Sequence, residues 1–306
     1  MRAKREVKGR IMRELSSLQL GVYEKAIPMI LPWKEKFAVA RDAGYDFMEL
    51  SIDPTPQRLV RLEPDDETAL ELRRAIDETG FPVLSMAVSA LRAYPLGDQR
   101  GHVRAAGVDI VKKSVDFACK TGVRLIQLST YDTYEGVSNQ KTRRLFLENL
   151  RECADYAQSR AVMLALETMD TSFADSLEKT LELVEDINSP FVQIYADVGN
   201  IAAAGYDFCN KLGDMDGHVV AIHLKDAKKD EVRRVNYGDG IVDFEEVYAS
   251  LLKHRFSGLL VAEMWGDEKC AFLPYVELSN RFLRERMETV QKTYAAQTQE
   301  DSAVVV

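Results

Sequence analysis

From about residue 17 onward, short apolar runs alternate with longer amphipathic stretches without a break. The apolar runs predict strands at 18 to 23 (LQLGVY), 46 to 52 (DFMELSI), 82 to 89 (PVLSMAVS) and 124 to 130 (RLIQLST). Four more follow at 162 to 168 (VMLALET), 191 to 198 (FVQIYADV), 218 to 224 (HVVAIHL) and 258 to 265 (GLLVAEMW). Helical spacing of apolar residues lies between them, at about 33 to 43, 66 to 79, 103 to 121, 140 to 158, 174 to 187, 205 to 213, 243 to 254 and 272 to 294. Gly44, Gly80 and Gly122 each stand just before a strand, where a glycine that stops a helix belongs.

Strands that are apolar almost throughout are buried on both faces, and strands joined through helices run parallel. Eight such units with no Pro- or Ser-rich break predict an α/β fold made of one closed (β/α)₈ barrel, a TIM barrel, over 17 to 294. The first 16 residues form a basic extension, with Ile11, Leu15 and Leu18 at helical spacing, and 295 to 306 read as a flexible tail. Glu6 and Glu14 count against a transit peptide, and there is no apolar core for a secretory signal.

Charge and composition then remove several function classes. A net charge of −9 offers no field to draw in a polyanion, so nucleic acid is not an expected partner. No apolar run is long enough to span a bilayer, so no membrane association is expected. Cys119, Cys153, Cys209 and Cys270 are widely spaced with no C-x-x-C pair, which points to reduced thiols and a cytoplasmic protein. No glycine-rich fingerprint opens a helix after a strand, so no nucleotide cofactor is expected.

In such a barrel the chemistry sits at the C-terminal ends of the strands. There, four successive apolar runs give way to Glu167, Asp197, His223 and Glu263, one from each of strands five to eight. At matching heights they form a compact set of three carboxylates and an imidazole, whose mutual repulsion a divalent cation relieves. The set suits Mn²⁺, Zn²⁺, Co²⁺ or Mg²⁺. Taken singly, each acid could instead cap a helix or pair with a cation. His218, at the start of strand seven, belongs at the opposite end, and His102 and His254 fall on helices.

These positions and their flanks, LALETMDT, YADVGN, IHLKDA, NYGDGIVDF and LLVAEMW, resemble the xylose-isomerase-like barrel superfamily. Together with LGVYEKAIP, GYDFMELSID, SALRAYPLG and LIQLSTYDTYEG, they are similar to the L-ribulose-5-phosphate 3-epimerase family, also known as L-xylulose-5-phosphate 3-epimerases and hexulose-6-phosphate isomerases, over roughly 18 to 287. Two positions depart from that pattern: Leu91 stands where it carries histidine, and Ala196 where it often carries proline.

The resemblance implies an isomerase that interconverts L-ribulose 5-phosphate and L-xylulose 5-phosphate by proton abstraction and return at C3, through an enediolate stabilised by one divalent metal. It implies that Glu167, Asp197, His223 and Glu263 hold the metal, with Glu167 and Glu263 doubling as the catalytic pair. Asn200 and Arg233 match family positions near the substrate, and a homodimer is implied.

For the phosphate of a small-molecule ketose, the loops after strands seven and eight are the usual place in barrels, which brings in Lys225 and Lys228, with Arg92 after strand three. Tyr23, Glu24, Glu49, Ser51 and Tyr131 also stand near strand ends, where they could line a sugar or pack. The rival readings are an aldose–ketose isomerase or a 3-epimerase of another, unphosphorylated ketose. Further off lie a non-catalytic sugar-binding protein and a phosphodiesterase of the endonuclease IV kind, which four histidines and a negative charge disfavour.

Overall fold

The structure is a computed structural model that describes residues 14 to 304, apart from Pro64, Asp66, Asp216, Asp230 and 267 to 271. The eight expected strands are present: β1 (Leu20–Tyr23), β2 (Phe47–Ser51), β3 (Val83–Val88), β4 (Leu125–Ser129), β5 (Met163–Glu167), β6 (Val192–Asp197), β7 (Val219–Leu224) and β8 (Leu259–Ala262). They are parallel and close into a barrel in sequence order, with β1 paired to β8. The helices are α1 (Trp33–Asp42), α2 (Pro56–Leu59), α3 (Glu67–Thr79), α4 (Gly101–Thr121) and α5 (Gln140–Gln158). They continue with α6 (Leu177–Ile187), α7 (Val198–Ala203), α8 (Phe208–Lys211), α9 (Phe244–Lys253) and α10 (Leu273–Val304).

Alternation along each strand divides the core into two layers, because successive side chains point to opposite faces. Residues such as Leu166, Ala196, Ile222 and Ala262 point outward into the large apolar layer beneath the helices. Their neighbours Ala165, Tyr195, Ala221 and Val261 fill the barrel interior with Phe47, Ala87 and Leu125. Gly21 is required by that filling: a Cβ there would meet the Phe47 ring at 2.4 Å. Gly44, Gly80 and Gly122 take φ of +89°, +67° and +90°, as helix-stopping glycines do.

Two local differences from the sequence reading have plain causes. The helical stretch expected at 205 to 213 is the short α8 followed by a tight turn at Leu212–Met215, and an additional α7 precedes it, starting directly out of β6 because Asp197 caps it, Oδ1 accepting from Asn200 N at 2.9 Å. At the other end, α10 runs on to Val304 through a segment free of Gly and Pro, past the 294 at which the periodic pattern stopped. Before the barrel, Leu15–Ser17 make a single tight turn, and Leu15 and Leu18 are buried in the outer layer. Leu15 N also donates to Gln291 Oε1 of α10 at 2.7 Å, while Ile11 lies outside the described residues. Among the described residues no helix is long and apolar enough to cross a membrane.

Candidate active site

Each of β5 to β8 ends in the same three-step pattern. An inward residue of the barrel filling is followed by an outward core residue and then by an inward polar one: Ala165, Leu166, Glu167; Tyr195, Ala196, Asp197; Ala221, Ile222, His223; Val261, Ala262, Glu263. The four last members converge at the C-terminal mouth, where one ligand atom from each lies within 4.8 Å of the others. Their heights are staggered rather than level. Asp197 pairs in register with His223, but Glu167 pairs with Tyr195, and His223 with Val261. The tilt that closes a barrel shears its register, so equal positions at strand ends need not be neighbours across the sheet.

His223 is wholly enclosed. Its Nδ1 lies 2.7 Å from Glu167 Oε1 and 3.6 Å from Glu263 Oε2, and its Nε2 lies 2.7 Å from Glu49 Oε1. Gln127 of β4 donates to the other oxygen of Glu167. Asp197 uses Oδ1 as the α7 cap and Oδ2 to pair with Lys225 Nζ at 2.5 Å. Lys225 also donates to Asn200 Oδ1 at 2.9 Å and lies 3.2 Å from Glu263 Oε2. Among the described residues that last oxygen accepts no well-formed hydrogen bond despite its burial.

The electrostatics follow from burial against charge. Burial raises Glu167 above the ordinary carboxylate range, and the charge of Glu263 adds to the rise against the pull of His223. Burial acts on Glu263 in the same sense, but Lys225 and His223 outweigh it and hold that carboxyl at about 2. Burial lowers His223, yet Glu263 and Glu49 keep the imidazole above its usual range. Three carboxylates and an imidazole in one small volume, with a buried Glu263 oxygen that is ion-paired but takes no well-formed hydrogen bond among the described residues, are the donor set of a hard or borderline divalent cation. The residues present fit such an ion.

The pocket above the cluster is walled by Tyr23, Met169 and Trp265. Arg92 and Arg233 both line it. Arg233 Nη2 donates to Asp170 Oδ2 at 2.8 Å, and Tyr131 OH donates to Asp170 Oδ1 at 2.6 Å. The guanidinium of Arg92 lies over the rings of Tyr131 and Tyr134, and its buried Nε has no hydrogen-bond partner among the described residues. Lys25 faces the same pocket and pairs with Asp53 at 2.8 Å.

Two expected substrate contacts also have partners within the cluster. Lys225 and Asn200 border the pocket, but Lys225 is buried within the carboxylate cluster and Asn200 is bonded to it and to Thr168 O. The surface charge of Lys228 is exposed and lies near Glu231. Leu91 is packed in the outer core, so its side chain points away from the pocket that Arg92 faces. His218 bonds to Gln193 at the far end of the barrel, and Cys119, Cys153 and Cys209 are free thiols; Cys270 lies outside the described residues. Sequence reasoning missed the role of Glu49, although a glutamate inside the apolar run DFMELSI was the available signal.

Comparison with known proteins narrows the chemistry. Residues 37 to 287 match the model of the xylose isomerase-like TIM barrel family. The chain is 40% identical over 250 residues to the L-ribulose-5-phosphate 3-epimerase UlaE of Escherichia coli (strain ATCC 8739), covering 82% of this chain and 88% of that one. The same figures hold for UlaE of Shigella sonnei (strain Ss046). Among solved structures, an L-ribulose 3-epimerase superposes with a TM-score of 0.78 at 16% identity, covering 91% of this chain and 97% of the other. A D-allulose 3-epimerase from Methylomonas sp. in complex with D-allulose gives 0.73 at 16% identity, with 88% and 97% covered. At that identity the structures speak for the fold. The family match and the 40% relatives together mean that this chain belongs to the xylose isomerase-like TIM barrel family and, within it, to the L-ribulose-5-phosphate 3-epimerases, and so is an isomerase of the epimerase type.

Proposed function

We propose that this protein is a divalent-metal-dependent 3-epimerase that interconverts L-ribulose 5-phosphate and L-xylulose 5-phosphate. The observation that carries the reading is the convergence of Glu167, Asp197, His223 and Glu263 in a chain 40% identical to enzymes named for that substrate. Those four residues would hold the metal, which when bound supplies a Lewis acid next to the reacting carbon.

Epimerisation at C3 removes a proton beside the C2 carbonyl and returns one to the opposite face, so it needs two proton carriers. Glu167 and Glu263 enter from β5 and β8 with His223 between them. Their protonation tendencies are opposite: burial favours a proton on Glu167, whereas Lys225 and His223 keep Glu263 ionised against its burial. In one direction Glu263 takes the C3 proton, as the C–H electron pair becomes the C2–C3 double bond and the carbonyl pair passes to the C2 oxygen, giving an enediolate. Glu167 then protonates C3 from the other side. The reverse reaction exchanges the roles.

Asp197 and His223 serve as ligands. Lys225 tempers the repulsion among the carboxylates, and Asn200 holds Lys225 in line. Arg233, braced by Asp170, is suited to the sugar oxygens. Arg92, whose Nε has no hydrogen-bond partner among the described residues, and Lys25 are the pocket cations left for the phosphate. The test is to incubate the metal-loaded protein with L-ribulose 5-phosphate in D₂O and follow the sugars by NMR. L-xylulose 5-phosphate carrying deuterium at C3 is expected; label confined to C1 or C2, or an aldose product, overturns the proposal.

A further inference from the structure

Glu49 lies on β2, far in sequence from the ligand cluster, yet reaches it from inside the barrel. Its carboxylate is wholly buried. Oε2 accepts from Tyr195 OH at 2.7 Å and from Ser85 Oγ at 2.6 Å, and Oε1 faces His223 Nε2 at 2.7 Å. Strands β3 and β6 thus grip one oxygen, and β7 meets the other. Glu49 is not one of the four residues whose ligand atoms meet, and it does not line the pocket. Neither metal binding nor substrate contact accounts for a buried carboxyl group there.

The hydrogen-bond inventory does. With both hydroxyls donating to Oε2, Oε1 is left for the imidazole. Both ring nitrogens face a carboxylate oxygen at 2.7 Å, Nε2 toward Glu49 and Nδ1 toward Glu167; a neutral ring that ligates a metal through Nδ1 carries its hydrogen on Nε2, where Glu49 accepts it. Nδ1 is the atom turned toward Glu167 and Glu263. A histidine that binds a metal through one nitrogen is commonly held through the other by a carboxylate, which selects the tautomer and raises the basicity of the ligand.

We infer that Glu49 is a positioning residue for the metal: it fixes His223 as the Nε2–H tautomer and aims Nδ1 into the carboxylate cluster. Ser85 and Tyr195 hold Glu49 in turn. The inference rests on the metal reading given above. A purely structural Glu49, tying β2 to β3, β6 and β7, would cost stability when removed but leave intrinsic metal affinity unchanged.

The full-length protein, stripped with a chelator, is titrated with Mn²⁺, Zn²⁺ and Co²⁺ against a chromophoric competitor, as wild type, Glu49→Gln and Glu49→Ala. Nitrogen-15 histidine NMR of the metal-free forms at a pH where the ring is neutral reports the tautomer. Glu49→Ala is expected to weaken binding by about 10- to 100-fold and to lose the Nε2–H signature. Glu49→Gln keeps an accepting oxygen without the charge, and is expected to weaken binding by roughly tenfold with the tautomer retained. Should Glu49→Ala fail to fold, the isosteric Glu49→Gln decides. A wild type that binds the cations while the folded variants stay within twofold of it overturns the inference and spares the metal reading. So does a wild-type ring carrying its hydrogen on Nδ1. A wild type that binds none of the three cations overturns both.

Discussion

Two buried charge clusters stand at the same end of this barrel and are built on opposite rules. In the first, Glu24 after β1 is wholly buried and faces three cations: Lys36 Nζ at 2.7 Å, Arg58 Nη1 at 2.7 Å and Arg61 Nη1 at 2.7 Å. Arg61 Nη2 and Ser51 N add further donors, so both oxygens are fully used. Burial alone would raise this carboxyl, but Arg61, Arg58 and Lys36 hold it well below the usual range. In the second cluster, Glu167, Asp197 and Glu263 face one lysine and one histidine, and among the described residues an oxygen of Glu263 accepts no well-formed hydrogen bond. An excess of cations closes the first around its acid, which ties the loop after β1 to β2 and the segment that follows it. An excess of carboxylates leaves the second open to a ligand from solution. Burial of charge is common to both, and completeness of pairing separates scaffold from site.

The sharpest way to break this contrast is to neutralise each cluster in turn. Glu263→Gln or Glu167→Gln should lower kcat on the order of 10³-fold, read in a coupled sugar-phosphate assay, while binding of the sugar phosphate stays measurable by calorimetry. Unaltered turnover by either variant would remove it from the proton-transfer pair. Glu24→Gln should instead cost on the order of 3 kcal/mol of stability in urea unfolding, because it leaves buried cations without their partner. Its pH dependence has a definite sign. A carboxyl depressed in the folded state adds stability above its unfolded value near 4.3, and that stability is lost as the pH falls toward the folded value. The acid limb of the wild-type stability curve should therefore be steeper than that of Glu24→Gln below about pH 4.

Smaller effects test how open the second cluster is. A divalent cation at about 100 times its Kd should stabilise the stripped protein by about 2.7 kcal/mol, seen as a rise in Tm that a chelator reverses. Glu24→Gln should show the same increment if the clusters are independent. Arg92→Gln should raise KM for a ketose phosphate roughly tenfold and leave a free ketose unaffected, since it removes one charge-assisted contact. An equal loss for both sugars would move the phosphate away from Arg92.

Much of this was legible in the chain because period and order are local properties. Eight apolar runs separated by helical patterns specify a parallel barrel, and in a barrel the place of the chemistry follows from strand direction. Glu167, Asp197, His223 and Glu263 could be picked out since each ends an apolar run. The same logic brought Lys225 to the pocket, two residues past His223, but could not show that its side chain turns inward to Asp197 and Asn200. Asp197 illustrates why single-residue readings compete. It is both the cap of α7 and a member of the cluster, using one oxygen for each.

The sequence by itself determined the architecture, the end of the barrel that carries the chemistry, and the residue types gathered there, since alternation and spacing act along the chain. Only the tertiary structure decided which oxygen faces which nitrogen. The stagger that sets Glu167 against Tyr195, the reach of Glu49 across the interior to His223, and the closing of Arg58 and Arg61 on Glu24 all depend on barrel shear and side-chain direction. Those are relations between segments tens to more than a hundred residues apart, which no local pattern encodes.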